Sequence, residues 1–145
     1  MTPEQIGLVE QTLGEIMPVL DRIAADFYRR LFAADPALAG MFTRAPAVQQ
    51  AKLAAELNQV LRSIRHHDEF LMRAGSLGRQ HHGYGVRPKH YATARTALMG
   101  AVGHELGDRW TEPVAAAWTA AYDLTTEAML AAGQPGPEVT LARRR

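Results

Sequence analysis

Residues 70–91 read FLMRAGSLGRQHHGYGVRPKHY. Side chains that suit one buried helix face recur there at intervals of four, three and four residues: Phe70, Ala74, Leu77 and His81. This spacing matches the 3.6-residue turn of an α-helix. Gly83 and Gly85 are expected to stop the helix, and Pro88 to start the next one. The pattern therefore predicts a histidine on an apolar helix face, just before a corner.

A histidine in that position has two interpretations. A buried neutral imidazole needs a partner for each ring nitrogen, and a metal ion is one good partner. The other interpretation is a core histidine that forms a hydrogen bond with the backbone. His82, the next residue, lies at the edge of the same face. Spacing alone leaves both interpretations of His81 open.

The rest of the chain shows the same periodicity, and seven helices are predicted. Thr2, Pro3 and Gln5 form a capping box that starts the first helix, and Pro18 then breaks the pattern. Later helix starts are predicted at Asp35-Pro36, for a short helix, and at Pro88 and Thr111. Corners between helices are predicted at 43–47 and, with polar residues, at 66–69. Many short helices favour irregular packing around an enclosed pocket over an up-and-down bundle.

Composition excludes several classes of protein. The 145 residues include 16 Lys or Arg, 15 Asp or Glu and no cysteine. The near-neutral charge and the short terminal triplet Arg143–Arg145 argue against a nucleic-acid partner. Without cysteine there is no disulfide framework and no thiolate site. No apolar run is long enough to span a membrane, and the N-terminus lacks a basic signal region, so a cytoplasmic single domain is expected.

Two further polar residues are predicted on inward helix faces. Tyr28 flanks the apolar stripe of the second helix, and Gln49 lies one turn before Leu53. Either side chain can donate a hydrogen bond into the interior, or can lie partly in water. No second inward carboxylate or histidine is predicted at ligand spacing, which argues against a multi-ligand zinc or di-iron site.

Three segments together resemble the bacterial globins. They are DFYRRLFAADPALAGMF (26–42), LGRQHHGYGVRPKHY (77–91) and LGDRWTEPVAAAWTAAYDL (106–124). The chain is most similar to the globin domain of flavohaemoglobins and to single-domain bacterial haemoglobins, over residues 2–132. The resemblance implies an all-α globin fold, a helical sandwich around a haem pocket, over residues 1–133. Residues 134–145, which contain two prolines, one glycine and a terminal basic triplet, are expected to form a flexible tail.

The resemblance also implies the site. It assigns haem b as cofactor and His81 as the ligand of the iron on the proximal side. On the opposite, distal side it assigns Tyr28 and Gln49 as hydrogen-bond donors and Leu53 as an apolar contact, with Gln50 as an alternative to Gln49. The further haem contacts that it implies are Phe42, Lys52, Leu53, Leu77, Tyr84, Val86 and Tyr91. Lys52 would meet a haem propionate or remain a solvated helix lysine.

One departure from the family affects the expected chemistry. Flavohaemoglobins have a glutamate near the end of the last helix that joins the proximal histidine and its tyrosine neighbour. Here that region holds Gly133 and Gln134, and Glu127 lies nearly two turns too early. Such a carboxylate raises electron donation to the iron, so its absence puts peroxidase-like chemistry in doubt.

The resemblance therefore implies a protein that reversibly binds oxygen tightly, with nitric oxide and carbon monoxide as further ligands. The alternatives are a nitric oxide dioxygenase that works with a separate reductase, and a globin-type sensor module. We expect a monomer or weak homodimer with no nucleic-acid or membrane partner.

Overall fold

Six α-helices and three short 3-10 helices make up residues 1–133, the part of the chain that the computed structural model describes. The α-helices are α1 (Pro3–Ile16), α2 (Leu20–Ala34), α3 (Pro46–Arg62), α4 (His67–Gly83), α5 (Pro88–Leu106) and α6 (Glu112–Gly133). The 3-10 helices are Met17–Val19, Pro36–Met41 and Gly107–Arg109. The all-α prediction is confirmed, although the short third helix is 3-10 rather than α. The predicted tail, 134–145, lies outside the described residues.

The predicted helix starts are present with their capping contacts. Gln5 N donates to Thr2 Oγ1 at 3.1 Å, and Thr2 N donates to Gln5 Oε1 at 3.0 Å. These reciprocal bonds satisfy two backbone donors that the first turn of a helix leaves unpaired. Pro18 lies in the 3-10 turn between α1 and α2, as expected of a residue without an amide hydrogen. The Asp35 side chain accepts from Ala37 N at 3.2 Å and so caps the second 3-10 helix.

Three boundaries differ from the sequence prediction. Pro46 is the first residue of α3 rather than part of the corner, a position where a missing amide hydrogen has no effect. Asp68 and Glu69, from the predicted polar corner at 66–69, lie in the first turn of α4, where negative charge interacts favourably with the helix dipole. Gly83 is the last residue of α4, and the chain breaks away at Gly85, whose φ is 88°. Gly85 is the glycine that this corner requires, because other residues rarely adopt a positive φ.

The core lies between α1, α2, α5 and α6, with α3 and α4 closing the remaining side. A buried hydrogen bond joins the first and last helices, because Trp118 Nε1 donates to Thr12 Oγ1 at 2.8 Å. Within residues 1–133, no helix is both long enough and apolar enough to cross a membrane.

Helices α4 and α6 approach each other at glycines. A Cβ at Gly78 would lie 2.5 Å from the Cα of Met129. A Cβ at Gly133 would lie 3.2 Å from the carbonyl oxygen of Gly78 and 3.3 Å from the Cβ of His82. The backbones therefore contact directly at this crossing, and α6 sets the position of the helix that carries His81.

Candidate functional site: an apolar cavity between five helices

A largely apolar cavity of about 280 Å³ lies between α2, α3, α4, α5 and α6. Every residue that the sequence assigned to the site lines it: Tyr28, Phe42, Gln49, Lys52, Leu53, Leu77, His81, Tyr84, Val86 and Tyr91. Gln50, the alternative to Gln49, is not among the lining residues. The structure thus brings together side chains from positions that are more than sixty residues apart in the chain.

The ring of His81 is held by its own helix. His81 Nδ1 donates to the carbonyl oxygen of Leu77, one turn earlier, at 2.8 Å. Because a carbonyl can only accept, Nδ1 carries the hydrogen, and the lone pair of Nε2 is left for a metal ion. The Tyr91 ring lies nearby, with the two ring centroids 6.4 Å apart. His82 is exposed and lines a separate, smaller cavity with Gly78 and Gly133.

Tyr28 on α2 and Gln49 on α3 meet at the wall of the cavity. Gln49 Nε2 donates to the Tyr28 hydroxyl oxygen at 3.2 Å, which leaves the hydroxyl hydrogen for another acceptor. The Tyr28 ring packs edge-on against Phe42, with centroids 5.3 Å apart, and is stacked with Phe32. Burial raises the pKa of the Tyr28 hydroxyl above its usual value, and the hydrogen bond from Gln49 partly opposes this. The hydroxyl is therefore protonated at neutral pH and is available as a donor.

A carboxylate that the sequence interpretation missed also lines the cavity. Glu56 Oε1 lies 3.7 Å from Lys52 Nζ, and its side chain is only 20% exposed. Burial raises the pKa of Glu56, and the positive charge of Lys52 is the largest effect that opposes the rise. Glu56 follows Leu53 by three residues on α3, so the helical spacing that located Gln49 also contained this signal. Glu56 was not identified from the sequence as an inward residue. The prediction that no second inward carboxylate or histidine lies at ligand spacing is narrower and stays a prediction.

Lys52 lies at the cavity mouth rather than in open solvent. Its ammonium is 5.5 Å from the centroid of the Tyr84 ring, which is 55% exposed. This contact joins α3 to the corner between α4 and α5. Arg44, in the loop before α3, also lines the cavity. Cationic side chains therefore lie at the edge of an otherwise apolar space.

Within residues 1–133, no carboxylate forms a hydrogen bond with His81. Gly133 lies against Gly78 and His82, and the Glu127 side chain is exposed. On this side Tyr122 donates its hydroxyl to the carbonyl oxygen of Tyr91 at 2.7 Å, and burial raises the Tyr122 pKa. Among the described residues, the hydrogen-bond partner of the His81 imidazole is a neutral carbonyl. Gln134 lies outside the described residues, so the expected departure stays a prediction.

The donor set fits a haem. The apolar walls suit a porphyrin ring, the free Nε2 of His81 suits iron, and the cations at the mouth suit carboxylates. Residues 1–133 contain no cluster of three or more His, Cys, Asp or Glu side chains able to hold a metal ion.

Comparison with known proteins agrees with this geometry. The sequence model of the family described as Globin matches residues 25–129, and the chain belongs to that family. Together with the cavity, family membership identifies a haem-binding globin. The chain is 31% identical to the flavohemoprotein of Deinococcus radiodurans over 150 residues, which cover 94% of this chain and 37% of that protein. It spans about a third of the length of the flavohemoproteins that it matches.

Two solved structures show the same arrangement of helices. A hexacoordinated heme protein from an anhydrobiotic tardigrade superposes with a TM-score of 0.84 at 16% identity, covering 93% of this chain and 96% of the other. The flavohemoglobin of Malassezia yamatoensis, solved with bound FAD and heme, superposes with a TM-score of 0.75 at 25% identity, covering 91% of this chain and 36% of that one. The first likeness concerns the fold alone.

Proposed function

We propose that this globin holds haem b through His81 and binds oxygen reversibly and tightly. The observation that carries the proposal is that a free imidazole nitrogen and a protonated tyrosine hydroxyl, held by different helices, line one largely apolar cavity. Haem, when bound, supplies an iron that takes up diatomic gases such as oxygen, nitric oxide and carbon monoxide. The remaining chemistry belongs to residues of this chain.

Each group has a separate task in this proposal. His81 Nε2 is the iron ligand, and the bond from Nδ1 to Leu77 holds the ring at a fixed angle. Lys52 would pair with a haem propionate, and the aromatic and aliphatic residues around the cavity would exclude water from the ring. Phe42, Leu53, Leu77, Val86 and Tyr91 form the apolar contacts, and Tyr84 covers the mouth beside Lys52.

Tyr28 and Gln49 are proposed to act as a directional pair. Because Gln49 donates to the Tyr28 oxygen, the hydroxyl hydrogen points away from that bond and is available to a polar gas ligand in the distal half. The second amide hydrogen of Gln49 can donate as well. Each neutral hydrogen bond contributes about 0.5–1.5 kcal/mol, which corresponds to about a 2- to 13-fold slower release of oxygen.

Oxygen dissociation kinetics test the distal pair. Tyr28→Phe and Gln49→Leu are each expected to speed release about 2- to 13-fold, measured by stopped-flow displacement with carbon monoxide. Gln50→Leu is the matched control, because Gln50 is the next residue but does not line the cavity. An unchanged rate in Tyr28→Phe, or an equal effect of Gln50→Leu, would contradict the assignment.

The proximal assignment has its own test in the histidine pair. His81→Ala is expected to abolish the normal ferrous haem spectrum, whereas His82→Ala leaves it unchanged because His82 faces away from the cavity. The double variant excludes substitution of one histidine for the other. A normal spectrum in the double variant would show that iron is held elsewhere.

Ligand binding is favoured over an enzymatic role by the partner of His81. A neutral carbonyl increases the electron donation of the imidazole less than a carboxylate does. Nitric oxide dioxygenase activity with a separate reductase remains the second candidate, because the same distal pair would serve it. Sustained nitric oxide consumption with a generic reductase, well above the rate of slow haem re-reduction, would favour the enzyme.

A further inference from the structure

A second cavity of about 220 Å³ lies where α4, α5 and α6 meet, and we call it the side cavity. It is separate from the larger cavity that contains His81, but Val86, Tyr91 and Met129 line both. These three residues form a shared wall. The other residues that line the side cavity are Gly78, His82, Arg87, Pro88, Leu130 and Gly133. The proposed function assigns no task to this space.

The side cavity has the size and the walls of a site for a small apolar body. Pro88 and Leu130 add aliphatic surface to the shared wall. An apolar cavity of about 150 Å³ holds one benzene ring. A volume of about 220 Å³ therefore has room for one ring and a small polar group, but not for a long acyl chain.

The charged group at the side cavity is a cation. Within the described residues, none of those that line it is Asp or Glu. Arg87 is exposed and forms no ion pair with any residue in 1–133. Its Nη1 donates to the carbonyl oxygen of Val86 at 3.4 Å, which keeps the guanidinium beside a lining residue and leaves most of its five donors for another acceptor.

The helix ends at the side cavity do not decide its charge preference. The N-terminus of α5 meets the C-termini of α4 and α6 here, so the helix dipoles oppose one another. The side chains therefore set the preference. His82 can donate a hydrogen bond in either tautomer, and Arg87 favours an anion.

Tyr91 provides an independent indication of a polar occupant. The residue is only 8% exposed, and its hydroxyl forms no hydrogen bond with any residue in 1–133. Burial raises the pKa of this hydroxyl, so it is protonated and can donate. Buried hydroxyl groups ordinarily have a partner. Because Tyr91 lines the side cavity, a ligand bound there can supply the missing acceptor.

We propose that the side cavity binds a small organic monocarboxylate with a compact apolar body, of the size of benzoate. The ring packs against the shared wall, and the carboxylate accepts hydrogen bonds from the guanidinium of Arg87. A planar guanidinium matches both oxygens of a carboxylate. The inference goes beyond the proposed function, because it uses neither the iron ligand nor the distal pair. Since the wall is shared, an occupant contacts side chains that also line the larger cavity.

Direct binding tests the proposal in the haem-loaded protein with carbon monoxide bound, so that a carboxylate cannot coordinate the iron. The probe is para-fluorobenzoate, followed by fluorine NMR, with an expected Kd on the order of 1 mM for a ligand of this size. The neutral analogue para-fluorobenzamide should bind about 5-fold more weakly or worse, because it lacks the charge-assisted bonds. Equal affinities for the two probes, or no saturable binding of the carboxylate, would overturn the proposal.

Arg87→Gln and Lys89→Gln are the matched variants. Lys89 is also exposed and lies two residues from Arg87, but it does not line the side cavity. Arg87→Gln should weaken binding of para-fluorobenzoate about 10-fold, and Lys89→Gln should leave it unchanged. Equal effects of the two substitutions would show that the carboxylate is attracted by general surface charge, which also overturns the proposal.

Methionine methyl groups locate the bound probe. Met129 lines the side cavity, whereas Met41 and Met99 line only the larger one. In protein labelled at the methionine methyls, the Met129 signal should shift on binding while those of Met41 and Met99 stay in place. Shifts of Met41 or Met99 would place the probe in the larger cavity and refute the assignment. The Soret band is recorded first, because its absence contradicts the proposed function, and the titration then proceeds on the haem-free protein.

Discussion

Gly78 provides a sharp test of the crossing that positions His81. A Cβ at this residue would lie 2.5 Å from the Cα of Met129 and closer still to its carbonyl oxygen. Non-bonded carbon atoms prefer a separation of about 3.5–4.0 Å, so α4 and α6 would have to separate by roughly 1 Å. No side-chain rotation can relieve the contact, because both obstructing atoms belong to the backbone. Gly78→Ala should therefore move the helix that carries His81.

Two opposing effects set the size of the change. Alanine in a helix is more favourable than glycine by up to about 1 kcal/mol, whereas overpacking costs about 1–3 kcal/mol. Because the neighbours of the added Cβ are backbone atoms, we take the upper end of the overpacking cost, about 3 kcal/mol. The expected net loss in the free energy of unfolding is about 2 kcal/mol. At Gly7, inside α1, an added Cβ would meet nothing within 4 Å, so Gly7→Ala should instead stabilise by about 0.5–1 kcal/mol.

Urea denaturation of the haem-free protein measures the stability of both variants. The rate at which haem transfers to an excess of an apo-globin measures how firmly each variant holds haem. Gly78→Ala should lower the denaturation midpoint and speed haem loss, because His81 lies three residues beyond the displaced contact. Gly7→Ala should raise the midpoint and leave haem loss unchanged. A Gly78→Ala protein as stable as the parent would show that the two helices do not meet at this glycine.

Three other changes test the fold and the cavity. Thr12→Val leaves the buried Trp118 Nε1 without its acceptor and should lower the free energy of unfolding by about 1–3 kcal/mol, measured by urea denaturation. Gly85→Ala should lower the free energy of unfolding by about 1–2 kcal/mol because of the positive φ. Gly83→Ala is the control and should not lower it, because a Cβ at Gly83 meets nothing within 4 Å. Equal effects of the two substitutions would contradict the corner geometry. Glu56→Gln tests the buried carboxylate in the haem-free protein. Burial holds the pKa of Glu56 in the folded protein above its value in the unfolded chain. The wild type therefore loses stability as pH rises through the folded pKa. The stability of Glu56→Gln relative to the wild type should accordingly be lowest in acid and increase towards neutral pH. A pH-independent difference between the two thermal midpoints would show that Glu56 is solvated.

The helices and their inward faces were largely predictable from local pattern. The four-three-four spacing that ends at His81 needs only the helical period, and proline and capping residues mark most helix starts. Within 70–91, the choice between Gly83 and Gly85 as the breaking residue was not predictable, because either glycine satisfies the local rule. The φ of 88° at Gly85 is a property of the whole corner.

The cavity was predictable in its residues but not in their mutual contacts. The sequence predicts two separate donors at Tyr28 and Gln49, whereas in the structure Gln49 donates to Tyr28. That contact depends on how α2 and α3 cross, which no spacing within one helix specifies. Glu56 was missed for a different reason. Its spacing from Leu53 fits the inward face, but a charged residue is rarely buried, so a glutamate there ordinarily indicates a solvated position.

The hydrogen bond from His81 to Leu77 joins a ring and its acceptor that belong to one turn of one helix. When α4 shifts, imidazole and carbonyl travel together, so the bond survives movements that would break a contact with α6. If His81 holds the iron as proposed, substitutions on α6 would therefore move ring and acceptor as one rigid unit and leave the electron donation of the imidazole nearly constant.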